Sequence, residues 1–131
     1  MKLIETINVE IYNTSVIFLI GIKKEDLDVI KKDNPDKIDD ELYKTLLDDI
    51  LDENSCDAFC ATSSSGGSYI IYIREGFEDK YRVVIHELFH LTNRILCDRD
   101  VYHEVTAEAW AYLIGWLSEQ YFNILNKHIN K

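Results

Sequence analysis

The residues best suited to chemistry are His86-Glu87-Leu88-Phe89-His90. On a helix, two histidines four positions apart sit about 40° apart around the axis and one turn along it. Their imidazoles can reach one tetrahedral metal ion without bending the backbone. Glu87, one position on, projects to the same flank. It is poorly placed as a third ligand, but it can reach a water held on the metal. A helix-borne zinc site for hydrolysis has this geometry. The bland alternative is a pair of unrelated histidines on an ordinary helix.

The elements that must position these residues can be read from the flanking pattern. Val84, Leu88, Leu91 and Ile95 form a helical apolar stripe, so the spacing predicts a helix from Asp79 to Cys97 with its core face separate from the histidines. A loop over Asp98 to Tyr102 should follow. A second helix is expected from about Glu104 to Asn126, turning Trp110, Leu113, Ile114, Leu117, Tyr121 and Ile124 inward. A third metal ligand must come from this region, from Asp98, Asp100, His103, Glu104 or Glu108. A ligand on a packed helix is held more rigidly than one on a loop, which favours Glu104 and Glu108. These two share a face, so one can bind metal while the other supports a ligand histidine. A metzincin arrangement is absent, because Asn93 and Leu96 stand where its glycine and third histidine would be.

Upstream, period-two alternation of Ile7, Val9 and Ile11 predicts a strand over Glu5 to Tyr12, with a turn at Asn13-Thr14. The continuous run Ser15 to Ile22 reads as a central strand covered on both faces. Residues 24–53 hold 12 acids and 5 lysines, so -7 of the net charge of -10 lies there. A short helix is expected over Lys24 to Lys32. Asn34-Pro35 reads as the cap of a further helix, with Leu42, Leu46, Leu47, Ile50 and Leu51 on its apolar stripe. The opposite acidic side reads as a solvated face. The acids at Asp52, Glu53 and Asp57 lack the glycine and terminal glutamate of a calcium loop. Asp57 to Arg74 reads as a second hairpin turning at Ser64-Ser65-Gly66-Gly67. Cys56 and Cys60 would share one face of its first strand. Their spacing, with no second pair, reads as free thiols, as does Cys97.

The chain of 131 residues forms one domain, long enough to bury roughly two-thirds of its unfolded surface without disulfides. The predicted fold is α+β: a small, mostly antiparallel sheet of about four strands with three or four helices. A net charge of -10 argues against nucleic-acid partners and against docking on anionic lipid. No apolar run is long enough to span a membrane, and Met1 to Glu5 carries no secretion signal. Together with three cysteines, these features point to a reducing, cytoplasmic setting.

The HELFH helix, followed by Glu108-Ala109-Trp110-Ala111-Tyr112-Leu113, resembles the gluzincin metallopeptidases. More narrowly, the stretch Glu108 to Trp116, with Ala111-Tyr112-Leu113 and Gly115, is similar to short HExxH proteins encoded by phages and prophages. The resemblance covers about Val83 to Gln120. It implies that His86, His90 and Glu108 bind Zn2+ and that Glu87 is the general base. In a second gluzincin pattern Glu104 would be the ligand and Glu108 its support. The implied activity is hydrolysis of peptide bonds in a peptide or protein substrate, in the host cytoplasm. Tyr112, one turn past Glu108, and His103 are candidate stabilisers of the oxyanion. The second hairpin could offer a strand edge to an extended peptide. Two rival readings remain: a zinc-containing phage or prophage protein for host interaction or regulation without peptidase activity, and an acidic mimic of nucleic acid centred on Asp48, Asp49 and Asp52.

Overall fold

A computed structural model describes residues 1–52, 54, 56–63, 68–101 and 107–130. Its strands are β1 (Leu3–Val9), β2 (Thr14–Ile20), β3 (Ala58–Thr62) and β4 (Ser68–Ile73). Its helices are α1 (Lys24–Asp33), α2 (Asp40–Leu51), α3 (Tyr81–Asp98) and α4 (Ala107–Ile129). The fold is α+β, as expected. The strand order is β1-β2-β4-β3. The two outer pairings are antiparallel and the central β2–β4 pairing is parallel.

Every residue of β2 and β4 is buried, because helices cover both faces of the sheet. Val16, Phe18 and Ile20 of β2, with Tyr69, Ile71 and Ile73 of β4, pack against Val84, Leu88, Leu91 and Ile95 of α3 and Leu113, Leu117 and Tyr121 of α4. The alternate residues Ile17, Leu19, Ile70 and Tyr72 pack against Leu27 and Ile30 of α1 and Leu42 and Leu46 of α2. The unbroken apolar run is therefore the consequence of a strand with no solvent face. Among the described residues no helix is long and apolar enough to cross a membrane.

Four local expectations need correction. β1 ends at Val9, and Glu10–Tyr12 form a 3-10 turn closed by Asn13 in the left-handed region (φ 49°); Ile11 is thereby 72% exposed instead of facing the core. Asn34 ends α1 instead of starting α2: its backbone N–H and its side-chain amide both donate to the Ile30 carbonyl. Asp39 caps α2, accepting from the Leu42 N–H at 2.8 Å. On α2 only Leu42 and Leu46 are buried, and Leu51 is exposed. Cys56 precedes β3, so it does not share a strand face with Cys60. The start of the last helix at Glu104, the loop residue Tyr102 and the turn 64–67 lie outside the described residues. At its other end α4 continues to Ile129 and buries Leu125 as well.

One contact holds α3 at the sheet and another holds α4. Tyr69, fully buried on β4, donates its hydroxyl to Asp98 at 2.5 Å and accepts from Arg99 at 3.1 Å. Burial, followed by the Asp98 hydrogen bond, pushes the Tyr69 phenol up to about 12. Tyr121 of α4 stacks edge-on against Phe18 at 5.7 Å and donates to the Glu78 carbonyl just ahead of α3.

Candidate functional site

The core stripe of α3 fixes where the histidines go. With Val84, Leu88, Leu91 and Ile95 pressed into the sheet, His86 and His90 emerge on the exposed face. Their rings meet edge to face with centroids 4.7 Å apart, and the two Nε2 atoms are 3.1 Å apart. A tetrahedral zinc ion with zinc–nitrogen bonds of about 2.0–2.1 Å separates two ligand nitrogens by about 3.3 Å. The pair thus fits a shared metal ion with almost no movement. The same distance also suits a hydrogen bond between the rings when one carries the proton.

Glu87 lies on the boundary between this face and the core and is only 8% exposed. Its Oε1 is 4.0 Å from His86 Nε2. Burial raises its pKa above the usual carboxylate value. The two histidines and the Cys60 backbone N–H oppose that rise. β3 therefore crosses α3 at Glu87. The Asp57 carbonyl and the Ser63 N–H bond to β4, so the alternation of an antiparallel ladder turns the backbone of Ala58, Cys60 and Thr62 away from it. The edge strand thus presents hydrogen-bonding groups beside the histidine pair. Burial, the main cause, and the Glu87 charge push the Cys60 thiol to about 11. A thiol held in its neutral form is a poor nucleophile.

Glu108 stands in the first turn of α4 and is exposed. Two positions on, Trp110 packs on Phe89 with ring centroids 4.5 Å apart, and Phe89 adjoins His90 in sequence and in space. That contact brings the start of α4 to the middle of α3, next to His90. Among the described residues, however, no three histidine, cysteine or acidic side chains converge as a metal-binding group. Glu104 and His103 fall outside the described residues. Of the loop candidates, Asp98 is engaged by Tyr69, and Asp100 follows α3 with φ 58°. Tyr112 is 65% exposed and lines a cavity with Ile11 and Trp116; His86 and Glu87 line a different one with Arg82, Asp57 and Ala58. The Tyr112 side chain is thus directed toward the 3-10 turn, a placement that helical spacing from Glu108 does not reveal.

Comparison with protein-family models, curated proteins and solved structures finds no match to this chain.

Proposed function

We propose that this chain is a zinc-dependent peptidase. His86 and His90 hold the metal and Glu87 acts as general base. Glu108 supplies the third ligand, with Glu104 as its partner or substitute. The observation that carries the reading is the 3.1 Å separation of two exposed imidazole nitrogens with a buried carboxylate beside them. When bound, zinc supplies a Lewis acid that acidifies water and polarises a carbonyl. Glu87 accepts the proton as water attacks and returns it to the departing amine. Its burial suits this role, because a carboxylate of raised pKa takes a proton more readily. The outward-facing backbone of Ala58 and Thr62, on either side of the Cys60 amide that Glu87 engages, pairs with an extended substrate and orients the scissile bond over the histidines.

The test has two parts. Protein purified without added metal is assayed for zinc, and one ion per chain is expected. Peptide hydrolysis is then compared between the wild type and Glu87→Gln, which preserves shape and removes the base. The variant should keep its zinc and lose turnover by about 10²–10⁴-fold. Bound zinc with no hydrolysis in either protein would replace this reading with that of a zinc-containing binding protein. A chain that neither contains nor takes up zinc refutes both.

A further inference from the structure

The chain has four arginines, and the fold uses two of them. Arg74 donates to the carbonyls of Cys56, Asp49 and Asp52. Arg99 donates to the Tyr12 carbonyl and the Tyr69 hydroxyl. Arg82 and Arg94 are different. Both are exposed on α3, and the ion pairs among the described residues involve only the N-terminus, Lys2, Lys24, Lys31 and His86 as cations. With 24 acids in the chain, a carboxylate partner was readily available to each. Their positions are what matters. Arg82, His86, His90 and Arg94 succeed one another at four-residue steps, one helical turn each. Each step advances about 40°, so the row winds diagonally across the exposed face.

Each arginine also lines its own cavity along the crossing of α3 and β3. Arg82 lines one of about 280 Å³ with Asp57, Ala58, His86 and Glu87. Arg94 lines one of about 730 Å³ with Cys60 to Ser63 and the start of α2. β3 therefore runs in the same direction as α3, from the first cavity to the second, with Glu87 and the histidines between them. Of the acids in the larger cavity, Asp98 is engaged by Tyr69 and Asp39 caps α2. Glu41 is the acid there whose carboxylate has no hydrogen bond among the described residues. It restricts the cavity to a single carboxylate beside Arg94 and disfavours a polyanion.

We infer that these two cavities along α3 and β3 together recognise an acidic peptide that passes over the Glu87–Cys60 contact between them, with Arg82 and Arg94 each pairing one substrate carboxylate on either side of the histidine pair. This rests on the peptidase reading for what happens between the two arginines, but the binding stands apart from it. Twelve residues of helix separate Arg82 from Arg94, a rise of about 18 Å. An extended peptide advances about 3.3 Å per residue. Two side chains on one face, six residues and about 20 Å apart, therefore match the span. The net charge of -10 repels an acidic peptide at long range, so the preference must come from these close contacts, which salt screens less than the distant repulsion.

The probe is a set of three fluorescein-labelled decapeptides, identical except for two positions six residues apart that carry Glu, Gln or Lys. Binding is measured by anisotropy to Glu87→Gln protein, with one equivalent of zinc and again with chelator. A partly exposed ion pair is worth at most about 1 kcal/mol, or about 5-fold. With two such pairs of about 0.2–1 kcal/mol each, the Glu peptide should bind about 2- to 25-fold tighter than the Gln peptide, and the Lys peptide weakest. Reversing the charge in Arg94→Glu removes one attraction and adds one repulsion, so it should weaken the Glu peptide by about 2- to 25-fold, and adding Arg82→Glu should invert the order. Both residues are exposed, so circular dichroism should be unchanged. Equal binding of the three peptides, preference for Lys, or no binding of any overturns the inference. Wild-type hydrolysis with equal kcat/KM on all three refutes it while sparing the peptidase reading. The expected binding order without hydrolysis refutes the peptidase reading while sparing the inference.

Discussion

If His86 and His90 share one ion, zinc must stabilise the folded chain, and the effect must vanish when either imidazole is removed. The histidine nitrogens already stand 3.1 Å apart, against about 3.3 Å in the metal-bound geometry. Little binding energy is therefore lost to rearrangement, and an ion that binds only the folded state shifts the unfolding equilibrium by mass action. At free zinc about 100 times its Kd, the gain is about 2.7 kcal/mol. An unfolding entropy of about 2.1 cal/mol/K per residue gives about 0.28 kcal/mol/K for a chain of 131 residues. The expected rise in Tm is therefore about 10 °C. His90→Ala should behave differently. Its side chain is exposed, so the metal-free variant should unfold within about 2 °C of the metal-free wild type, an effect of about 0.5 kcal/mol. Adding zinc should then raise its Tm by no more than a small fraction of the wild-type shift. The assay is differential scanning calorimetry of both proteins, chelated and with buffered free zinc. An equal zinc-induced shift in wild type and His90→Ala would show that zinc binds elsewhere. No shift in the wild type would refute the shared-ion geometry.

Other expectations follow from the same structure. A carboxylate that binds metal directly matters more than one that orients a ligand, whose loss weakens affinity by about 10- to 100-fold. Chelator competition should therefore find Glu108→Ala more damaging than Glu104→Ala, and the reverse order exchanges their roles. Tyr69→Phe removes the hydroxyl shared by Asp98 and Arg99 and should cost about 1–2 kcal/mol, read as a lower urea midpoint at unchanged slope; an unaltered midpoint would mean the contact adds nothing to stability. Leu88 is fully buried between α3 and the sheet, so Leu88→Ala should cost about 2–5 kcal/mol in the same assay and, by loosening α3, weaken zinc binding too.

Much of this fold was legible because its signals are local. The fully buried β2 read as an unbroken apolar run, β4 read as the second strand of a hairpin, and the apolar stripe Val84, Leu88, Leu91 and Ile95 of α3 appears in the structure as read. The misread boundaries are places where two local rules compete. Asn34 can start a helix or end one; the open Ile30 carbonyl at the end of α1 decided the matter, and Asp39 was left to cap α2. Ile11 continued a period of two, but the 3-10 turn after Val9 broke the strand phase and left it in solvent.

The sequence by itself determined the part of the candidate site that lies within one helix. Residue spacing sets the angle between His86 and His90, and the separate apolar stripe dictates that they face outward. Both are properties of a single periodic element and need no other part of the chain. Only the tertiary structure decided what faces that helix. The parallel pairing of β2 with β4 leaves β3 at the sheet edge, and α3 packs so that Glu87 meets the Cys60 amide. Arg82 and Arg94 were ordinary surface positions until that crossing set a cavity beside each, while the turn of α4 directed Tyr112 toward Ile11. Such contacts depend on how elements far apart in the chain bury their apolar faces together, and no local pattern of residues encodes that choice.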